Sequence, residues 1–442
     1  MIGSHTVAPR VKVAGVVALV LLTVWYLAVS QQQVHEVARK FRADRNVFIT
    51  DFLEHEVDGK FKGEAIQELC TSRKWVPGLV MGCENARGGV GLVRNAILHC
   101  VRFAIEAGAE LIIPDIIPRS DESLKDVTSS PPVPFDYLFD NDHFHQVLGT
   151  LCPQLKLYSS FNELYNIPEV ASAIEFSIPE TNQEWVNQTV LADPRNWNVK
   201  FREFLDKKSP PEGREYPMRV HLKHTVWVWP TANDTAAVAS SFGRILRFRP
   251  DARKLAASAL FTLSHRYKLN IDPRVNYRAD SFAGIHLHTE EDVNDKIPDY
   301  VTQAADYFHF LSEANAPVAF LASGATEKNV TSFQQRAEDF NVTVVTKTDL
   351  FDDEELEALD DLSWDQRALV DYEIMLRAGM VAGLGSNSFA WNLALRRAYA
   401  FGAGPEAVPH PAGSAIAWKD DFTTLYGKHE DHEDAMRATI WP

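Results

Sequence analysis

From Gly78 onward the chain writes out a unit that few folds accommodate. An apolar run at Gly78–Met81 is followed by a turn carrying Gly88, Gly89 and Gly91, by apolar residues at helical spacing over Leu92–Ala107, and by a second apolar run at Leu111–Pro114. The two runs have strand length and the stretch between them has the period of a helix. Strand, glycine turn, helix, strand is a βαβ unit, whose right-handed crossover starts a parallel sheet covered by helices. Prolines and charges break the pattern between Pro210 and Pro230, although His221–Trp229 alternates as a strand does, and Ser240–Leu260 is rich in helix formers. The alternation then resumes. Strands are expected at 283–287, 318–322, 342–346 and 380–384, and helices near 300–314, 328–339, 364–379 and 388–397. A chain of 442 residues exceeds what one hydrophobic core fills. The expected fold is therefore α/β, with two lobes at 70–245 and 246–410, a cleft between them, and a C-terminal extension at 411–442.

The compartment is read from the N-terminus. Val13–Val29 is a run of 17 uncharged residues, which as a helix reaches roughly 25 Å and spans a bilayer. Arg10 and Lys12 precede it and polar Ser30–Gln33 follows, so the positive-inside rule leaves tail 1–12 in the cytosol and the body in the lumen, as a type II protein. Ala28 and Ser30 also suit a signal peptidase, and a cleaved signal peptide delivers the same body to the same lumen. Residues 30–69 are polar and helix-prone, as a stem would be. The sequons at Asn187, Asn233, Asn329 and Asn341 fit a lumenal protein. So do the four cysteines, Cys70, Cys83, Cys100 and Cys152, which allow three pairings.

Charge and motif spacing exclude several functions. With 60 acidic against 44 basic side chains the chain carries −16, which repels nucleic-acid phosphates. No CxxC pair or HExxH order marks a metal site, and GSNS at 385–388 is not the GxSxG elbow of a hydrolase. The glycine turn is neither GxGxxG nor a P-loop, which removes the fingerprint of a dinucleotide-dependent oxidoreductase. A turn between strand and helix still admits a phosphate to helix N-terminal amides, and Arg87 and Arg94 beside it suit an anionic or sugar ligand. A tight turn chosen for geometry explains the glycines equally. Arg244, Arg247, Arg249 and Arg253 read as an anion site or as a solvated helix face. Trp227 and Trp229, two apart on an expected strand, either pack a core or stack a sugar.

The segment Gly284-Ile-His-Leu-His-Thr-Glu-Glu-Asp292 leaves a strand end, where open α/β sheets bind ligands. It resembles the H-L-R-x-x-x-D element of the GDP-fucose protein O-fucosyltransferases, with His288 where the family has arginine. Ala368-Leu-Val-Asp371-Tyr followed by Gly383-Leu-Gly-Ser386-Asn-Ser388-Phe389-Ala-Trp391 resembles the family's aspartate helix and nucleotide-binding turn, and GGVGLVRNA its first-lobe glycine loop. The likeness spans roughly 78–400. It implies a GT-B architecture of two Rossmann-like lobes, the first facing the acceptor and the second holding GDP-fucose, and inverting transfer to a protein or glycan hydroxyl with no required metal or other cofactor. Carried over residue by residue, it implies catalytic roles for His288 and Arg94. It implies donor contacts from Gly88, Gly89, Gly91, Asn95, His286, Asp292, Asp371, Ser386, Asn387, Ser388 and Phe389. The expected location is the Golgi or endoplasmic reticulum membrane.

His288 is the departure from the family. A histidine offers one donor toward a given oxygen where arginine offers a permanent charge and two, and losing one such donor typically costs about 100- to 1000-fold in rate. An acidic lumen, with Glu290 and Glu291 alongside, is expected to favour the charged imidazole and restore part of that loss. The alternative is a catalytically impaired protein of the same fold that binds a nucleotide sugar or glycan.

Overall fold

The computed structural model describes residues 39–120, 123–177, 185–186, 190–275, 278–279, 281–290, 297–402, 415–428 and 431–442. The apolar run at Val13–Val29, the sequon at Asn187 and Asp292 lie outside the described residues. Among the described residues no helix is long and apolar enough to cross a membrane.

Two sheets form the α/β body. The first is fully parallel, in the spatial order Leu157–Tyr158, Glu110–Ile112, Leu79–Cys83, Met218–Lys223, Ala173–Ser177. The second runs Thr343–Val345, Val318–Ala322, Ala283–His286, Met380–Leu384, Thr423–Tyr426, Ile416–Lys419, and only its last pair is antiparallel. Central strands such as Leu79–Cys83 and Val318–Ala322 are buried along their whole length. Helices cover both faces of such strands, which explains their reading as unbroken apolar runs.

The chain order locates the cleft. In the first sheet the chain steps from Leu79–Cys83 to Glu110–Ile112 and Leu157–Tyr158 on one side, then crosses to the far edge with Ala173–Ser177 and comes back to Leu79–Cys83 with Met218–Lys223. In the second it steps from Ala283–His286 outward through Val318–Ala322 and Thr343–Val345, then returns with Met380–Leu384 beside Ala283–His286, in register from Ala283 with Met380 to Ile285 with Ala382. Each reversal leaves a crevice at the carboxyl ends of the two strands flanking it, where doubly wound sheets bind ligands. The glycine loop leaves the first reversal; His288 and the 386–389 turn leave the second.

The helix Val90–Ala107 is buried on nearly every side and joins the lobes. A β-carbon added at Gly91 would lie 2.6 Å from the Ser388 carbonyl, so the glycine lets two backbones meet. Disulfides pair Cys83 with Cys100, tying this helix to the strand before it, and Cys70 with Cys152.

Three expectations give way here. The segment expected as a stem joins the body from residue 39: helix 39–54 packs along Pro250–Tyr267, with the rings of Phe48 and Phe261 5.7 Å apart, and Phe52, Val57 and Ile66 are fully buried. The extension at 411–442 is also integral. It supplies two strands of the second sheet and the helix Asp431–Thr439, and it buries Trp441 against His99 and Phe242. The strand expected at His221–Trp229 occupies Met218–Lys223 instead, and Trp227 has a left-handed backbone that separates the two tryptophans. Trp229 packs in the core beneath the Arg102 guanidinium, whereas Trp227 lines the cleft.

Candidate active site

A cavity of ≈ 390 Å³ opens where the two crevices face each other, lined by Gly88 and Gly89 from the first lobe and by His286, His288, Asp371 and the turn Ser386–Phe389 from the second. Gly88 needs its missing side chain, since its φ of +99° lies in the left-handed region.

His286 ends its strand with the ring stacked on Phe389, centroids 4.6 Å apart, and with its carbonyl accepting from the Tyr307 hydroxyl at 2.8 Å. Two residues on, His288 is clamped by Gln303. That side chain accepts from the His288 N–H at 3.0 Å and donates to its carbonyl at 2.6 Å. Asn387 fixes the His288 ring. The Asn387 Oδ1 caps the helix Ser388–Ala400 by accepting from the Phe389 N–H at 2.8 Å, and a backbone N–H can only donate. The other amide end is therefore the NH2 group, and it faces His288 Nδ1 at 2.9 Å. Nδ1 is the acceptor, so the ring hydrogen sits on Nε2, which lies 3.7 Å from the Glu290 carboxylate. Glu290 is itself held by the Gly324 N–H at 2.5 Å.

Asp371 stands deeper, on the helix Trp364–Leu376. Its Oδ2 meets Lys347 Nζ at 2.5 Å, while Oδ1 is buried with no partner. Burial pushes the carboxyl above the ordinary carboxylate range against the pull of Lys347. A buried acceptor left open toward a cavity is placed to receive an N–H from a ligand.

Other expected site residues lie elsewhere. Gly91 serves the backbone approach to Ser388 and does not line the cavity. Asn95 is completely buried, with both side-chain polar atoms unpartnered. Arg94 is a structural anchor where a catalytic group was expected. Its terminal nitrogens donate to Asn392 Oδ1 at 2.9 Å and to the carbonyls of Trp441, Gly243 and Pro442 at 2.7, 3.0 and 3.0 Å.

The cationic stretch at 244–253 meets an internal anion. Glu56 pairs with Arg253 at 2.7 Å and with Arg247 and Arg396 at 3.1 Å; Asp58 pairs with Arg396 at 3.2 Å and Arg244 at 3.4 Å. Arg249 pairs with Asp251 at 2.6 Å. Arg244, Arg247 and Arg253 are thus held by carboxylates of the 39–69 segment.

Sequence reasoning passed over Arg119 and Trp364, which also line the cavity. Arg119 follows the short strand Ile116–Ile117, which pairs with Ala86–Arg87 beside the glycine loop. A cation just past a strand end was the available signal.

The sheets and their cleft define a two-lobed α/β protein whose crevice offers hydroxyl, imidazole and amide donors beside the buried open carboxylate of Asp371. Residues 79–400 match the GDP-fucose protein O-fucosyltransferase family, and the chain belongs to it. No curated sequence relative matches. Similar solved structures include POFUT1 in complex with GDP, at 12% identity over 79% of this chain and 99% of that one, with a TM-score of 0.44. POFUT1 in complex with GDP-fucose is 14% identical over 73% and 95%, with a TM-score of 0.44. The fucosyltransferase NodZ from Bradyrhizobium is 13% identical over 75% and 94%, with a TM-score of 0.38.

Proposed function

We propose that this chain is a lumenal glycosyltransferase of GT-B architecture that moves fucose from GDP-fucose to a protein or glycan hydroxyl with inversion. The observation that carries the reading is that the family match spans the elements that converge on the cleft: the glycine loop, the His286–His288 strand end, Asp371 and the 386–389 turn. In the reaction the acceptor oxygen bonds to the anomeric carbon as the bond to the β-phosphate oxygen breaks; GDP leaves with the electron pair and the hydroxyl proton is released. The leaving diphosphate gains negative charge, which requires donors already in place. Ser386, Ser388 and the amides opening the helix Ser388–Ala400 supply such donors, and Asp371 Oδ1 suits the N–H edge of guanine. Two disulfides among the described residues and an exposed sequon at Asn341 support an oxidising lumen of the endoplasmic reticulum or Golgi. The membrane anchor at Val13–Val29 is part of the same proposal.

One observation favours a second reading, a nucleotide-sugar binder without turnover: His288 presents a single donor where the family places a guanidinium. The purified full chain and His288→Arg separate the two by GDP-fucose binding and GDP release. The enzyme reading expects both from the wild type. Binding by wild type with turnover only in the arginine variant overturns it in favour of the binder, and absence of binding overturns both.

A further inference from the structure

Among the described residues the cavity is lined by one guanidinium, and it comes from the lobe opposite the expected nucleotide. Among the described residues that line the cavity, Arg119 is the only lysine or arginine, and it shares that space with the carboxylates of Glu290 and Asp371. A diphosphate entering a crevice with two carboxylates needs a cation near it. His288 offers one ring nitrogen as donor, and neither Arg94, which donates to Asn392 and to carbonyls, nor Lys347, which pairs with Asp371, lines the cavity.

Arg119 is held in position. Its backbone N–H donates to Asp365 Oδ2 at 2.9 Å, and its guanidinium lies over the Trp364 ring, 5.1 Å from the centroid. Both partners open the helix Trp364–Leu376 of the second lobe. Its Nε pairs with Asp365 Oδ1 at 3.9 Å, and its Nη1 donates to the Leu124 carbonyl at 3.5 Å. At the other side, a β-carbon placed on Gly89 would be 3.4 Å from Arg119 Nη2, so a terminal nitrogen lies against the glycine turn where the helix Val90–Ala107 begins. The guanidinium therefore stands between the helix N-terminus of the first lobe and the aspartate helix of the second, facing the cavity that holds His288, Ser386 and Ser388.

We infer that Arg119 supplies the positive charge for the donor's diphosphate, taking over from the first lobe the task that the family's arginine performs where His288 stands. The inference rests on the proposed nucleotide-sugar reading.

The test is a titration of the full chain with GDP and with guanosine, which share the base and differ in the diphosphate. The wild type should prefer GDP. Arg119→Gln should weaken GDP roughly 10- to 100-fold and leave guanosine within about threefold. Arg119→Lys, which keeps the charge, should retain most of the preference. Asp365→Asn, which loosens the contact between lobes and leaves the guanidinium, should lower the thermal midpoint and keep the preference. Equal loss of GDP and guanosine in Arg119→Gln, or a preference lost alike in Asp365→Asn, marks a merely structural clamp and overturns the inference. If Arg119→Gln does not fold, the lysine variant decides: a preference lost there overturns it as well. A wild type that binds guanosine without preferring GDP removes Arg119 alone, whereas one that binds neither removes the nucleotide reading together with it.

Discussion

Asn387 Nδ2 lies 2.9 Å from His288 Nδ1, and the same amide's Oδ1 caps the helix that begins at Ser388. One side chain thus sets both the helix start and the tautomer of the residue that replaces the family's arginine. Asn387→Asp keeps the cap, since a carboxylate caps as well as an amide. It also brings an acceptor to Nδ1, which must then carry the hydrogen. The expected outcome is unfolding stability within ~1 kcal/mol of wild type and a change of the His288 tautomer. Long-range proton–nitrogen spectra should show hydrogen on Nε2 in the wild type and on Nδ1 in the variant; hydrogen on Nδ1 in both would contradict the assignment.

Asp371 should matter for the base and not for the phosphates. Its open Oδ1 is the buried acceptor, so Asp371→Asn is expected to weaken guanosine and GDP by the same factor, roughly 10- to 100-fold, as the loss of a charged hydrogen bond predicts. Burial raises the folded carboxyl above its unfolded value, so the folded state binds more protons and stability falls as pH rises through that interval. The asparagine variant removes this slope. Urea unfolding of both proteins across the acidic range checks it, and identical slopes would remove the claim.

Arg94 was legible as an arginine beside a glycine loop, but its role was not. Burial pulls its guanidinium down to about 10, still charged at neutral pH, and four hydrogen bonds fasten it to residues as distant as Pro442. Removing a buried group of this kind leaves several carbonyls without partners. Arg94→Ala is expected to lower unfolding stability by ~3–5 kcal/mol. Deleting the last two residues should reproduce much of that loss. A variant of wild-type stability with abolished turnover would restore the catalytic role.

The alternation of strands and helices was legible because centrally placed parallel strands must be apolar on both faces. Ala283–His286, Val318–Ala322 and Met380–Leu384 fall where the apolar runs stand. Edge strands were not: Ala173–Ser177 mixes polar and apolar residues because half of it is open to solvent. Long-range ionic pairing leaves no periodic trace either. Glu56 and Asp58 look like ordinary residues of a polar stem, and nothing local announces that Arg396 will meet them. The site was legible where it sits on strand ends. It was not where a turn redirects a side chain, as at Trp227, or where a loop carries a cation across the cleft, as at Arg119.

Glu56 gives the sharpest dependence on acid. Burial alone would raise its carboxyl, but Arg253, Arg396, Arg247 and Arg377 outweigh burial and hold it at about 2. A carboxyl that titrates lower in the folded than in the unfolded state contributes fully above the ordinary glutamate range, and that contribution is lost as pH falls toward the folded value. Glu56→Gln removes the carboxylate and leaves the arginines buried without it, which costs ~3 kcal/mol near neutral pH by the measure of broken buried pairs. The difference between variant and wild type should shrink steadily between pH ~4.5 and ~2, as the wild type itself becomes protonated. Urea midpoints of the two proteins across that range test the network directly. A constant difference would mean that Glu56 acts through packing alone, and that the segment 39–69 is joined to the body by its apolar contacts without the ion pairs.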